Sequence, residues 1–477
     1  MKRLAAVFAA LIVLAAALAS CENVTPDFGS SREETSSRDP YKEIESMLPP
    51  EIDGESGVIS GTQTITVATD APYLFISDGE TPTAYRTHLS ERNAYLSRRY
   101  GIELAVREDG ADRAAEAIKN SLLSGEGYAE ILAFGAEETL KLYSEGLLYD
   151  MNSLPGFDPS SSTYDQKNAL VLATNKSFYM LPDPSCYWFD EIYTVFCNTD
   201  LIDGSLADPL RLAARGEWTW DAFTEHCKAA YAVSQGRFGF GSYSDVDVYA
   251  NVMWISAGKA LVGGTYKNPV KLSLPTAEIS ETAAALKKHY DTYYRYPDTK
   301  SAATEQFENG GLIFIANKLS YLYSLRDGTE KGLNFVLLPV PKLDPAQDGY
   351  SCMISEEARV YSVPAAKYDA QTEARINAFL AVACASGGPA AKKAFVGTAI
   401  ANFLTSNDET LALQAAVDGA AFDFSNLYGI DAWEIRYCTT KVISDYIGFG
   451  SEVANSIFHA GDNFNRYVDA KFNGEGG

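Results

Sequence analysis

Apolar positions along the chain fall into short strand-like runs separated by stretches with a helical repeat. After Gly61, Thr64-Ile65-Thr66-Val67-Ala68 is β-branched and predicts a strand, and Ile102 to Val106 predicts a second. Ala111 to Leu123 places Ala115, Ile118 and Leu122 at helical spacing. Glu130 to Phe134 predicts a third strand, and a helix through Leu140 and Tyr143 ends at Gly146. Strand, helix, strand, helix predicts an α/β unit with a parallel sheet, in which ligands bind beyond the carboxyl ends of the strands. Asp70 and Phe134, at two such ends, are candidate site residues.

The middle of the chain repeats this alphabet. Phe178 to Leu181 and Glu191 to Cys197 read as strands. Thr219 is placed to cap a helix opening at Trp220-Asp221, with Phe223, Cys227, Ala230 and Tyr231 on one stripe, which makes Trp220 a core anchor. Leu312 to Ala316 and Asn334 to Pro339 are apolar runs of the kind buried in a central sheet. Beyond Pro364 the pattern is mainly helical, starting with Ile376, Phe379, Leu380 and Ala383.

The amino end is different. Lys2 and Arg3 precede an apolar run from Leu4 to Leu18, which has signal-peptide length and is too short to span a bilayer comfortably. It leads into Leu18-Ala19-Ser20-Cys21, which resembles the lipobox of bacterial lipoproteins. That resemblance implies a signal peptide over 1–20, lipid on the Cys21 sulfur, and a body held at the outer face of the cell membrane. An ordinary secretory signal with a cysteine at its cleavage site is the alternative. Residues 21–60, rich in Ser, Glu, Asp and Pro, predict a disordered acidic tether with a reach of about 35 Å.

Charge then narrows the partners. The chain has 39 Lys plus Arg against 63 Asp plus Glu, a net -24 over 477 residues. Such a surface opposes nucleic acid, which needs Lys and Arg clusters. Six cysteines follow Cys21 without a CxxC pair, which favours buried thiols over a disulfide framework. The four histidines, His88, His226, His289 and His459, are too scattered for a metal site, and no cofactor motif is present.

Five stretches in order resemble a known family: the lipobox, Tyr128 to Met151 (YAEILAFGAEETLKLYSEGLLYDM), Phe196 to Ile202 with Glu217 to Ala230, Phe307 to Leu322 (FENGGLIFIANKLSYL), and Asn334 to Tyr350. Together they are similar to the extracellular solute-binding proteins of ABC importers, in the sugar-binding group that includes maltose-binding protein. The resemblance implies a two-lobed periplasmic-binding-protein-like fold of type II. Lobe 1 would be 61–183 plus 315–362 and lobe 2 184–314 plus 363–477, with crossings near Leu181 to Cys186, Leu312 to Ala316 and Val360 to Pro364. It also implies a monomer that captures an extracellular carbohydrate and delivers it to a membrane permease. The family's tryptophan-bearing segment after Leu312 to Ala316 is replaced here by Asn317-Lys318-Leu319 and Ser320-Tyr321.

Sugar sites combine carboxylates and amides with flat aromatics. Carried over residue by residue, the resemblance implies ligand contacts from Asp70 and Phe134, from Tyr187 and Trp188 at the hinge, and from Tyr243, Asp245 and Trp254. Asn317, Tyr321 and Trp433 complete the set. Lys318 is placed to pair with an acid of the opposite lobe. Two other readings remain open: a surface adhesion lipoprotein without transport, and a glycoside-acting enzyme using paired carboxylates. Against the enzyme, no GxSxG, HExxH, P-loop or ordered GxGxxG occurs, since Gly236, Gly239 and Gly241 are in the wrong order.

Overall fold

The first sheet assembles where the β-branched runs fall. The computed structural model describes residues 39–49, 61–76, 83–159, 161–164, 176–180, 188–233, 238–242, 246–258, 262–265, 268–272, 276–294, 300–327, 332–355, 357–386, 406–422 and 440–450, with 397, 404 and 466 singly. The strands are β1 Gln63–Thr69, β2 Ile102–Glu108, β3 Ile131–Gly135, β4 Tyr179–Met180, β5 Tyr193–Asn198, β6 Phe238–Ser242, β7 Val262–Thr265, β8 Asn268–Leu272, β9 Leu312–Lys318, β10 Phe335–Leu338, β11 Cys352–Met353, β12 Arg359–Ser362 and β13 Ala420–Ala421.

Five of them form one sheet in the order β2-β1-β3-β12-β4. β1 runs parallel to β2 and β3, and β12 inserts antiparallel between β3 and β4 with Arg359 opposite Gly135. Gly101 makes the turn from helix Thr83–Tyr100 into β2 at φ 66°, and a Cβ there would lie 2.6 Å from the Gly61 carbonyl oxygen. Helix Ala111–Ser124 packs through Ala114 and Ile118, while Leu122, expected on the inner stripe, is half exposed. The core on this side gathers Ala68, Ile118, Leu132, Phe134 and Leu142.

The second sheet has the order β10-β5-β9-β6. Its central strand β9 is antiparallel to β5 and parallel to β6. Helices Trp220–Val233 and Thr276–Tyr293 bring Phe223 and His289 against Phe240 and Phe314. Burial pushes the His289 imidazole down to about 4, so it sits neutral in this aromatic core and accepts or donates to the Tyr249 hydroxyl at 3.2 Å. Trp220 is the core anchor its spacing predicts, donating from its indole N–H to the Pro341 carbonyl at 3.0 Å. Tyr231, on the same expected stripe, is instead 47% exposed.

Leu312 to Ala316 lies inside β9 and β10 is bonded to β5, so both strands belong to the second sheet. The chain returns to the first sheet between β10 and β12, through Ile354, which bridges Ile192. Helix Ala370–Ser386 then stays with the first sheet: Arg375 donates to Gln63 at 2.9 Å and Asn377 to the Pro155 carbonyl at 2.7 Å. One expectation is corrected, within the stretch expected as a disordered tether over 21–60. Pro40–Met47 is a helix, with Pro40 at its first turn and the Asp39 carboxylate accepting from the Tyr41 N–H at 3.2 Å. Ile44 is 5% exposed, and the Met47 carbonyl accepts from the Thr163 hydroxyl at 2.6 Å. An apolar residue spaced to face inward overrides the acidic composition around it. Residues Ile44–Gly477 cluster as one compact unit.

Cys197, Cys227, Cys352 and Cys384 are buried and carry thiols. Cys186 and Cys438 lie outside the described residues. Among the described residues no group of His, Cys, Asp and Glu could hold a metal ion, and no helix is long and apolar enough to cross a membrane.

Candidate functional site

Charged side chains of both sheets converge where β1 and β3 end and β12 begins. Asp70, immediately after β1, receives a two-pronged ion pair from Arg359: Nε to Oδ1 at 3.0 Å and Nη2 to Oδ2 at 2.8 Å. Burial opposes the guanidinium charge, but Asp70 overrides this and raises the Arg359 pKa further. Glu138 stands beside them at the start of helix Ala136–Ser144 and accepts from the Gly135 N–H at 3.1 Å. Its carboxyl is raised by burial and then by the nearby Asp70 charge.

The second sheet supplies the facing groups. Asp190 and Glu191 precede β5, and Lys318 ends β9 opposite Tyr193. Lys318 Nζ lies 2.7 Å from Glu191 Oε2 and also pairs with Glu357, two residues before β12. Burial disfavours the ammonium, yet these two carboxylates hold it protonated above its usual range. The Ser355 N–H donates to the Glu191 carbonyl at 2.9 Å, so the connection carrying Glu357 and Arg359 is fastened to the second sheet just before it enters the first.

Asp190 is pushed up to about 7 by burial, against the Tyr323 hydroxyl that donates to it at 2.9 Å and with added repulsion from Glu191. Its native form keeps a proton that the unfolded chain releases near pH 4. Stability therefore falls as pH rises from about 4 to about 7, by up to about 1.4 kcal/mol per pH unit. Asp190→Asn, which keeps an acceptor for Tyr323, flattens that slope in urea melts across the window; an unchanged slope would assign the titration elsewhere.

Of the sequence candidates, Asp70 lies in this cluster and Asn317 sits next to Lys318. Asn317 is 4% exposed and its side-chain oxygen accepts from the Lys318 N–H at 2.8 Å, which makes it part of the strand end. Three expected contacts sit in packing instead. Phe134 is fully buried in the first core, because β3 is covered on both faces. Trp254 is fully buried in helix Val246–Ser256. Tyr321 is 8% exposed, edge-on to Phe196 at 5.2 Å, with its hydroxyl on Glu308. Trp188 opens the 3-10 turn Trp188–Glu191, but its side chain is not among those described; Tyr187, Tyr243, Asp245, Trp433 and Cys21 lie outside the described residues. Lys318 pairs with Glu191 of its own sheet and with Glu357 on the segment leading into the first sheet. Arg359, Glu138, Asp190, Glu191 and Glu357 were missed, and the signal for them is a charge directly bordering an apolar strand run.

A pair of α/β sheets, linked by crossing segments with charges gathered between their edges, defines the two-lobed class of periplasmic-binding-protein-like folds. Residues 93–420, about two thirds of the chain, match the bacterial extracellular solute-binding proteins, and the chain belongs to that family. Among solved structures, the fold is similar to the cyclic α-maltosyl-1,6-maltose binding protein of Arthrobacter globiformis, at 13% identity and TM-score 0.56, covering 86% of this chain and 100% of that one. It is equally similar to a sugar transporter of Rhizobium etli in an open conformation, at 13% identity and TM-score 0.56 over 85% and 99% of the two chains. An extracellular solute-binding protein of Staphylococcus aureus in complex with maltose aligns at 12% identity and TM-score 0.53, over 86% and 99%. No curated protein matches the sequence significantly.

Proposed function

We propose that this chain is the ligand-capturing component of an ABC importer, that its cargo is a carbohydrate held between two hinged lobes, and that it is anchored by lipid at Cys21. The observation that carries the reading is the convergence of Asp70, Glu138 and Arg359 from one sheet with Asp190, Glu191 and Lys318 from the other. Paired carboxylates and cations at strand ends offer donors and acceptors to hydroxyls without demanding a charged ligand. Contacts from both sides favour the closed form, because the open form lacks half of them. The maltose and maltosyl ligands named for proteins of this fold agree with that chemistry.

The strand memberships suggest a first lobe built on β1 to β4 and β12 and a second built on β5, β6, β9 and β10. The test is a thermal-shift and calorimetric screen of the full chain against neutral oligosaccharides, monosaccharides, peptides and polyamines. An oligosaccharide at 100 times its Kd stabilises the native state by about 2.7 kcal/mol. A response to peptides or polyamines alone would overturn the carbohydrate assignment and leave solute capture standing.

A further inference from the structure

The turn that follows β1 holds an aromatic ring at the meeting point of the two sheets. Pro72–Leu74 is one 3-10 turn, and Tyr73 at its centre is 38% exposed. The charges acting on its hydroxyl come from both sides: Arg359 and Asp70 from the first sheet, Asp190 and Glu191 from the second. Most large aromatics of the core, such as Phe134, Trp218 and Trp254, are fully enclosed. Tyr73 instead keeps part of its side chain exposed beside those charges.

The turn beneath it is fixed. The Thr69 hydroxyl donates to the Ala133 carbonyl at 2.8 Å and accepts from the Ala71 N–H at 3.1 Å. The Phe75 N–H returns to the Pro72 carbonyl at 3.0 Å. The Phe75 carbonyl accepts from Asn93 at 2.9 Å and from the fully buried Arg92 at 3.3 Å, whose guanidinium also lies over the Phe75 ring. Helix Thr83–Tyr100 thus clamps the far end of the turn while β3 holds the near end. A ring presented on a backbone this constrained loses little freedom when a ligand covers it.

We propose that Tyr73 is the specificity-determining aromatic of the cleft, the surface on which a sugar ring lays its C–H face while its hydroxyls reach Asp70, Arg359 and Glu138. The proposal deepens the carbohydrate reading and rests on it. The ring supplies apolar area and dispersion, which the carboxylates do not. The strand-end cluster it borders holds more carboxylates, Asp70, Glu138, Asp190, Glu191 and Glu357, than cations, Arg359 and Lys318, which sets the cleft against sugar acids even though burial favours the protonated forms of Asp190 and Glu138.

The experiment is isothermal calorimetry of the full chain with maltotriose, cellotriose and a trigalacturonate, repeated for Tyr73→Phe and Tyr73→Ala. A neutral trisaccharide binds the wild type, Tyr73→Phe stays within about threefold, and Tyr73→Ala weakens binding about tenfold or more. The trigalacturonate binds at least about tenfold more weakly than the neutral sugars. Because the side chain is half out of the core, the ligand-free melting point of Tyr73→Ala stays near that of the wild type, which separates binding from folding. Neutral binding unchanged in Tyr73→Ala overturns the role of Tyr73 and leaves the carbohydrate reading intact. Preferred binding of the trigalacturonate overturns the charge selectivity. No saccharide binding to the wild type overturns both readings together.

Discussion

Trp254→Ala will cost about 3–5 kcal/mol of stability, the loss expected when a large enclosed aromatic is truncated and its space is only partly refilled. Trp254 has no exposed surface and lies in helix Val246–Ser256, which packs against helices Thr276–Tyr293 and Thr440–Phe449. Its indole N–H finds no hydrogen-bond partner among the described residues. Trp254→Phe therefore removes no hydrogen bond and should cost much less than the alanine variant. Urea denaturation checks both, and calorimetry on the folded fraction of Trp254→Phe should give wild-type affinity. A ligand contact would reverse the pattern, with affinity lost and the melting curve unchanged.

Arg359→Leu should weaken binding of whichever oligosaccharide the wild type takes by about 30-fold or more, equivalent to about 2 kcal/mol. The substitution leaves Asp70 and Glu138 facing each other without their cation, and Glu138 already carries a raised pKa. The native state itself should lose only about 1–2 kcal/mol, because Asp70 is 38% exposed and solvent screens the pair. Combining Arg359→Leu with Asp70→Asn should recover part of the stability, since the double variant no longer strands a carboxylate. A purely additive pair of losses would mean that the two side chains act independently.

The strands were legible in the sequence because each carries its own evidence. β1 runs Gln63–Thr69 where Thr64 to Ala68 was expected, and β9 begins at Leu312 as its apolar run predicts. Asp70 was found by the strand-end rule, which looks past the carboxyl ends of parallel strands. Arg359 escaped that rule because β12 runs antiparallel, so that its first residue, not its last, arrives at the same edge. Asp190 and Glu191 escaped for the same reason, since β5 is antiparallel to β9 and opens where Lys318 closes. Pairings such as Arg359 with Asp70 join residues 289 positions apart, and no local pattern encodes that register. Phe134 and Trp254 misled in the opposite way: an aromatic beside a strand end, or in an apolar helix, reads alike whether it faces a ligand or a neighbouring helix.

The buried cysteines have a consequence for chemistry outside the cell. A thiol attacks oxidants and disulfides as its thiolate. Burial pushes the Cys352 thiol up to about 12 and raises Cys197 and Cys227 well above their usual value. At neutral pH the thiolate fraction of Cys352 is then on the order of one in 10⁵, and no solvent reaches its sulfur. Extracellular oxidants can react with these three sulfurs only during moments when the packing around each one opens. Their rate of modification is set by the protein's own opening, which makes the intact fold a kinetic shield for its thiols.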